Sequence, residues 1–114
     1  MKEITTLRLL PKDTAIAAGE SAEASQDLQQ HRPDNGNSML LGVTGATASI
    51  VVEAKFGHVA GLTTDEWVQV AANPFTAGVQ IQAVSIPLCG YALFRFRNAG
   101  AGDAVVTSST FQIQ

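Results

Sequence analysis

Charge is scarce in this sequence. Its 114 residues hold seven Lys and Arg and ten Asp and Glu, 15% in all, against a usual value of about 25%. Disordered chains are charge-rich and apolar-poor, so an apolar content of 46% excludes wholesale disorder. The net charge of −3 supplies no global attraction to nucleic acid or to an anionic lipid surface. A single cysteine, Cys89, excludes an internal disulfide and leaves no cysteine cluster for zinc. Long apolar runs are missing as well. The longest uncharged stretch, Val68 to Phe94, is interrupted by Asn73, Pro74, Pro87 and several glutamines, and no membrane span is predicted there. Met1 to Asp13 has no apolar run of about 7–15 residues such as a secretory signal needs. Aromatic residues reach only 6%. Once the phenylalanines fill a core, few remain for a stacking platform.

The hydrophobic pattern is that of strands. Helical periodicity is weak throughout, while alternation bounded by Gly, Pro and Asx clusters is frequent. Ile4 to Leu10 reads as a first strand stopped by Pro11. Thr14 to Glu20 reads as a loop or extended arm, and Ala22 to Gln30 as an ambiguous edge strand. The HRPDNGN run, His31 to Asn37, is dense in turn formers. Ser38 to Val43 follows as a strand. Thr47 to Phe56 puts Ile50, Val52, Ala54 and Phe56 on one face and Ser49, Glu53 and Lys55 on the other, with Gly57 as its end. Trp67 to Ala72 is predicted to turn Val68 and Val70 inward. Val79 to Ile86 places Val79, Ile81 and Ala83 on its apolar, inward face and Gln80 and Gln82 opposite. Tyr91 to Asn98 sets Ala92, Phe94 and Phe96 against Tyr91, Leu93, Arg95 and Arg97. The AGAGD loop, Ala99 to Asp103, then reverses the chain into Ala104 to Ile113, with Val105, Phe111 and Ile113 facing one way; strands joined by a short glycine-bearing loop form an antiparallel hairpin.

About eight strands at this spacing predict an all-β chain, a single antiparallel β-sandwich of jelly-roll or immunoglobulin-like connection. Residues 1–19 form an N-terminal arm or first strand, and residues 20–114 the sandwich domain. One core suits this length, since domains typically hold about 100–150 residues.

No catalytic constellation stands out. His31 lies in a turn-forming run and His58 just past a strand end, neither beside a nucleophile motif. Cys89, between Leu88 and Gly90, reads as a buried inert thiol. Asp34, Asn35 and Asn37 around Gly36 echo part of a calcium loop but lack its twelve-residue ligand set and closing glutamate. The adjacent carboxylates Asp65 and Glu66 diverge and read as solvated loop charges. The glycine clusters precede no helix, so they are not phosphate loops. No enzyme activity, cofactor, metal or nucleic-acid partner is therefore expected. What remains is contact chemistry. Interface cores are depleted of charge, as Val68 to Phe94 is, and arginine, tyrosine and tryptophan are favoured at hot spots. Trp67, Tyr91, Arg95 and Arg97 are the candidates in the domain. Ile4, Leu7, Leu9 and Leu10 are candidate anchors of an arm reaching a neighbour, or else the domain's own first strand.

From Trp67 onward, ending in GYALFRFRNAGAGDAVVTSSTFQIQ, the chain resembles a recurrent pattern of small phage structural proteins. There an aromatic-Arg-aromatic-Arg strand and an Asn-Ala-Gly loop precede a final Val/Thr-rich strand. The resemblance implies a virion component of the capsid decoration (cement) type. Such a protein would be made in the host cytoplasm and sit on the capsid surface as multiple copies, its partners the major capsid protein and copies of itself. It implies no catalytic residue. A tail or neck component and a carbohydrate-binding sandwich module are the alternatives.

Overall fold

The structure, a computed structural model, describes residues 5–28 and 36–113. Ten strands and no helix are found among them. They are β1 (Thr5–Arg8), β2 (Thr14–Ile16), β3 (Ser21–Asp27), β4 (Asn37–Thr44), β5 (Ile50–Val59), β6 (Leu62–Thr63), β7 (Val68–Gln69), β8 (Gly78–Ala83), β9 (Tyr91–Asn98) and β10 (Ala104–Ile113). Two antiparallel five-stranded sheets form a sandwich. Sheet I has the order β1-β10-β4-β8, with β2 also on β10; sheet II has the order β3-β9-β5-β6, with β7 also on β5.

Alternation decides which side of each strand is buried. On β9, Ala92, Phe94, Phe96 and Asn98 are buried, while Tyr91, Leu93, Arg95 and Arg97 lie half-buried on the outer face. Ile50, Val52 and Ala54 of β5 join them in the core. Phe94 from sheet II meets Phe111 from sheet I with ring centroids 5.4 Å apart and planes tilted by 53°, an edge-to-face-like contact that ties the layers together.

The N-terminal residues belong to this sandwich. β1 pairs with β10 from Thr5↔Ile113 to Arg8↔Thr110, and β2 pairs farther along the same strand, Ile16 opposite Ala104. Between them Leu9 and Leu10 are both buried. The Leu10 amide donates to Ser109 Oγ at 2.7 Å. The turn that follows sets Asp13 at φ 59°, a left-handed conformation that Asp tolerates better than most residues.

Asn98 is a buried latch. Its Nδ2 donates to the carbonyls of Ile16 at 3.0 Å and Gly102 at 2.9 Å, and its Oδ1 accepts from the Gly100 amide at 3.0 Å. Its backbone exchanges hydrogen bonds with Glu20 and Gly19. The side chain thereby fixes the β9–β10 loop and the end of β2, and the backbone of the same residue fixes the approach to β3. Gly100 must stay bare, because a Cβ there would collide with the Thr47 carbonyl.

Four sequence expectations need correction. Ten strands replace eight, since the Thr14–Glu20 stretch contains β2 and Leu62–Thr63 forms β6, strands of three and two residues that are too short to show a pattern. Gly57 does not end β5. That strand runs to Val59 with a register shift between Gly57 and Val59, and Gly57 lies so close to the Leu62 carbonyl of β6 that any side chain would collide. On β10 the buried residues are Ala104, Val106, Ser109, Phe111 and Ile113, while Val105 is only half-buried. A bulge between Val106 and Ser108 switches the phase, as an extra residue in one strand must. Finally, Val68, Val79 and Ile81 are 49%, 71% and 67% exposed. The apolar face of β8 points to solvent, and Gln80 and Gln82 lie on its more buried side.

Candidate functional site

The two outer faces of the sandwich have opposite chemistry. On sheet II the register sets Arg95 between Glu53 of β5 and Glu23 of β3. Glu53 Oε1 accepts from Arg95 Nε at 3.1 Å, Arg95 Nη2 at 2.8 Å and Arg97 Nε at 3.2 Å. Two guanidinium groups share one carboxylate oxygen, and the Glu53 side chain is only 14% exposed. Partial burial strengthens such a pair relative to a fully solvated one.

Trp67 completes this cluster. It directly precedes β7, whose Val68 and Gln69 pair with Ala54 and Glu53, so the indole is carried over the outer face of β5 and β9. Lys55 Nζ lies 4.8 Å and Arg95 Cζ 4.3 Å from the ring centroid, both within cation–π range. The ring is half-buried and already engaged by two cations. Tyr91 does not share this site. It stands four residues from Arg95 along β9, about 13 Å by strand rise, and lines a separate cleft of about 270 Å³ with Asp27, Val59, Ala60 and Gly90. The sequence candidates thus divide: Trp67, Arg95 and Arg97 meet in one cluster, and Tyr91 lies apart.

The outer face of sheet I is neutral and partly apolar over β8, β4 and β10, while β1 at its far edge brings Arg8 beside Thr110. From β8 it presents Val79, Ile81 and Ala83, from β4 Ser38, Leu40 and Gly42, and from β10 Ser108, Thr110 and Gln112. No charged side chain is among them. A shallow groove of about 80 Å³ runs between Leu40, Ile81, Ser38, Thr110 and Gln112. The reversal of β8 has a local cause. The Gln82 side-chain carbonyl accepts from the Asn73 amide at 3.3 Å and that of Gln80 from the Thr76 amide at 3.2 Å. The two glutamines hold the loop after β7, and the valine and isoleucine are left outside. A pair of glutamines at period two, just after an Asn-Pro turn, is the signal that marks this in the sequence.

The N-terminal candidates are placed differently. Leu9 and Leu10 are core residues, and Leu7, opposite Phe111, packs against the core. These three side chains are spent within the chain and do not project as anchors. Ile4 lies outside the described residues, as do His31, Asp34 and Asn35. His58 is exposed on β5. Among the described residues no three of His, Cys, Asp and Glu come together as a metal site would require. Cys89 is half-buried; burial pushes its thiol above the ordinary value of 9.0, and a hydrogen bond with the Tyr91 backbone pulls the other way.

No protein-family model matches the chain, and no curated sequence is significantly similar to it. Solved structures share the fold. BuGH86 in complex with neoagarooctaose aligns with a TM-score of 0.64 and 15% identity over 96% of this chain, which spans 18% of that one. The structure of infectious bursal disease virus, Gx strain, aligns at 0.60 and 10% identity over 96% of this chain and 32% of that one. The SPBc2 prophage-derived protein YomS aligns at 0.50 and 11% identity, covering 97% of this chain and 92% of that one. At these identities the likeness establishes the β-sandwich and nothing finer.

Proposed function

We propose that this chain is a non-enzymatic structural protein of a phage virion. It decorates the capsid surface in multiple copies and stabilises the shell by contact with the major capsid protein and with its own kind. The observation that carries the reading is the β8–β4–β10 part of the outer face of sheet I, where Val79 and Ile81 are 71% and 67% exposed among uncharged neighbours, with Arg8 only at the far β1 edge. Solvated monomers seldom leave large contiguous apolar patches uncovered, and interface cores are the surfaces that lose charge. Fold neighbours from a virus and a prophage, and the motif shared with small phage structural proteins, support it. Lattice binding lets modest single contacts sum through multivalency. Quantitative mass spectrometry of purified particles tests the proposal. Hundreds of copies per particle are expected; a handful would move the protein to the tail or neck, and absence would refute a virion role.

A second reading, carbohydrate binding, rests on Trp67 at the outer face of sheet II and on the fold neighbour solved with an agaro-oligosaccharide. Lys55 and Arg95 at the indole oppose it, because a sugar needs an open ring face. A glycan array decides. Binding lost in Trp67→Ala would establish this reading, and no ligand on the array would remove it.

A further inference from the structure

We infer that the cleft between β1, β2 and the bulge of β10 is a binding site for a tetrahedral oxyanion, the phosphate or sulfate group of a small polar molecule. It lies at the opposite edge of sheet I from β8 and stands apart from the contact-surface reading above.

The chain makes this cleft by leaving the sheet. β1 pairs with β10 as far as Arg8↔Thr110, and β2 resumes the pairing at Thr14↔Val106. Beyond the Leu9 amide's bond to Ser109 O at 3.2 Å, residues 107–109 of β10 meet no strand on that side. The bulge between Val106 and Ser108 falls in the same gap. Consecutive side chains of a regular strand point to opposite faces, and a bulge re-aims them. Here the Thr107 and Ser108 hydroxyls gather over Gly42: a Cβ on that residue would lie 2.7 Å from Thr107 Oγ1 and 2.8 Å from Ser108 Oγ. Only a bare backbone at Gly42 leaves both hydroxyls in place.

The cleft has a volume of about 250 Å³. Arg8, Lys12, Thr107, Ser108 and Thr110 line it, with the buried Leu10 and Ser109 beneath. Ser109 Oγ is engaged by the Leu10 amide at 2.7 Å. The other three hydroxyls have no hydrogen-bond partner among the described residues, and the Arg8 and Lys12 side chains have no ion-pair partner among them. No carboxylate lines the cleft; Asp13, the neighbour of Lys12, is outside the lining. A chain with ten acidic residues and a net charge of −3 thus keeps two unpaired cations beside three free hydroxyls.

The walls are held before any ligand arrives. Gln26 Nε2 from β3 donates to the Arg8 carbonyl at 2.7 Å, and Thr14 Oγ1 donates to the Pro11 carbonyl at 2.6 Å, spanning Lys12. Such preorganisation lowers the cost of binding. The donor set then chooses the ligand. A guanidinium offers a planar fork of two parallel bonds, an ammonium a point charge, and each hydroxyl one more donor. A carboxylate has two oxygens, which the fork alone satisfies. A phosphate or sulfate ester presents three, and the ammonium and hydroxyls supply the donors for the third. The volume falls below the roughly 300–1,000 Å³ of drug-sized pockets, so the cleft suits the oxyanion and one small ring attached to it.

Chemical-shift titration of the intact protein tests this. The probes are inorganic phosphate, inorganic sulfate, glucose 6-phosphate and glucose, at an ionic strength fixed with sodium chloride because salt screens exposed charges. Saturable shifts confined to residues 8–12 and 107–110 are expected for the three anions, with dissociation constants between about 0.1 and 10 mM, and none for glucose. Tighter binding of glucose 6-phosphate marks the ester as the occupant; equal affinities mark the free ion. Arg8→Gln should weaken binding about tenfold or more, the loss of a charge-assisted pair. Thr107→Val combined with Ser108→Ala keeps every charge and should weaken it several-fold. Circular dichroism and unchanged shifts elsewhere verify that both variants fold. Shifts that never saturate, that spread to the Lys55 and Arg95 face, that glucose reproduces, or that survive either variant undiminished would overturn the site, because diffuse attraction to surface cations predicts no dependence on the hydroxyls. No particle enters this experiment. A failed titration leaves the virion proposal standing, and absence from particles leaves the oxyanion site standing.

Discussion

Removing the amide of Asn98 tests whether a single buried side chain holds the end of the sandwich together. Asn98→Ala abolishes three hydrogen bonds of 2.9–3.0 Å. The bonds are unequal. Ile16 is 2% exposed, so its carbonyl is left without water, at a cost of about 1–3 kcal/mol. Gly100 and Gly102 are half-buried; water can replace the lost partner, and each bond contributes about 0.5–1.5 kcal/mol. The sum is about 3 kcal/mol, a large part of the roughly 5–15 kcal/mol by which a domain is stable. In urea the midpoint should fall by about 2 M for a slope near 1.5 kcal/mol/M. Asn98→Asp should be worse than alanine near neutral pH, since a carboxylate brings no donor to the two carbonyls and is desolvated. Burial raises the carboxyl pKa in the folded state, so the unfolded chain binds fewer protons at neutral pH. The excess penalty is then full above the folded-state pKa and shrinks as pH falls towards about 4. A loss below about 1 kcal/mol in Asn98→Ala, or an aspartate variant that matches alanine at every pH, would refute the latch.

Phe94→Ala removes a fully buried ring that contacts Phe111 across the layers; a loss of about 3–5 kcal/mol is expected in equilibrium unfolding, and less would mean that the sheets close over the gap. Glu53→Gln takes the charge from the carboxylate shared by Arg95 and Arg97. Both arginines are partly exposed, so the loss should be at most about 1 kcal/mol and should vanish in high salt. The Cys89 thiol, pushed up by burial, should react slowly with iodoacetamide at neutral pH. Its rate should rise with a midpoint above 9.0; a midpoint at or below that value would show that desolvation does not govern it.

What could be read in advance depended on whether polarity and geometry agreed. β9 was legible because its arginines cannot enter a core and its phenylalanines can fill one, so alternation alone assigned both faces. β5 was legible for the same reason up to Phe56. β8 shows the same alternation with the opposite outcome. Gln80 and Gln82 lie on the more buried side because loop amides need their oxygens, and a requirement set by a neighbouring loop does not appear in hydropathy. The phase switch on β10 was hidden because Val105 and Val106 are equally apolar, and only the pairing with β4 reveals the bulge. Of the outer-face cluster, the arginines and Trp67 were visible as residue types. The convergence of the arginines on Glu53 joins positions more than forty residues apart and needed the register of β5 against β9, while Trp67 reaches Lys55 through the pairing of β7 with β5.

The position of β10 bears on how the molecule is made. This strand accepts both β1 and β2, and the Leu10 amide finds its Ser109 partner 99 residues away. β9 likewise receives β3. During synthesis the ribosome releases β1, β2 and β3 long before the strands that complete them exist. Hairpins such as β5–β6 can form early, but neither layer can be completed until residues 91–113 have emerged. Contacts so distant in sequence make folding slow, and a nascent chain with unpaired strands is open to association with its siblings on the same message. A chain lacking β10 would leave β1 and β2 with no strand to pair with, so the first strands made depend on one of the last.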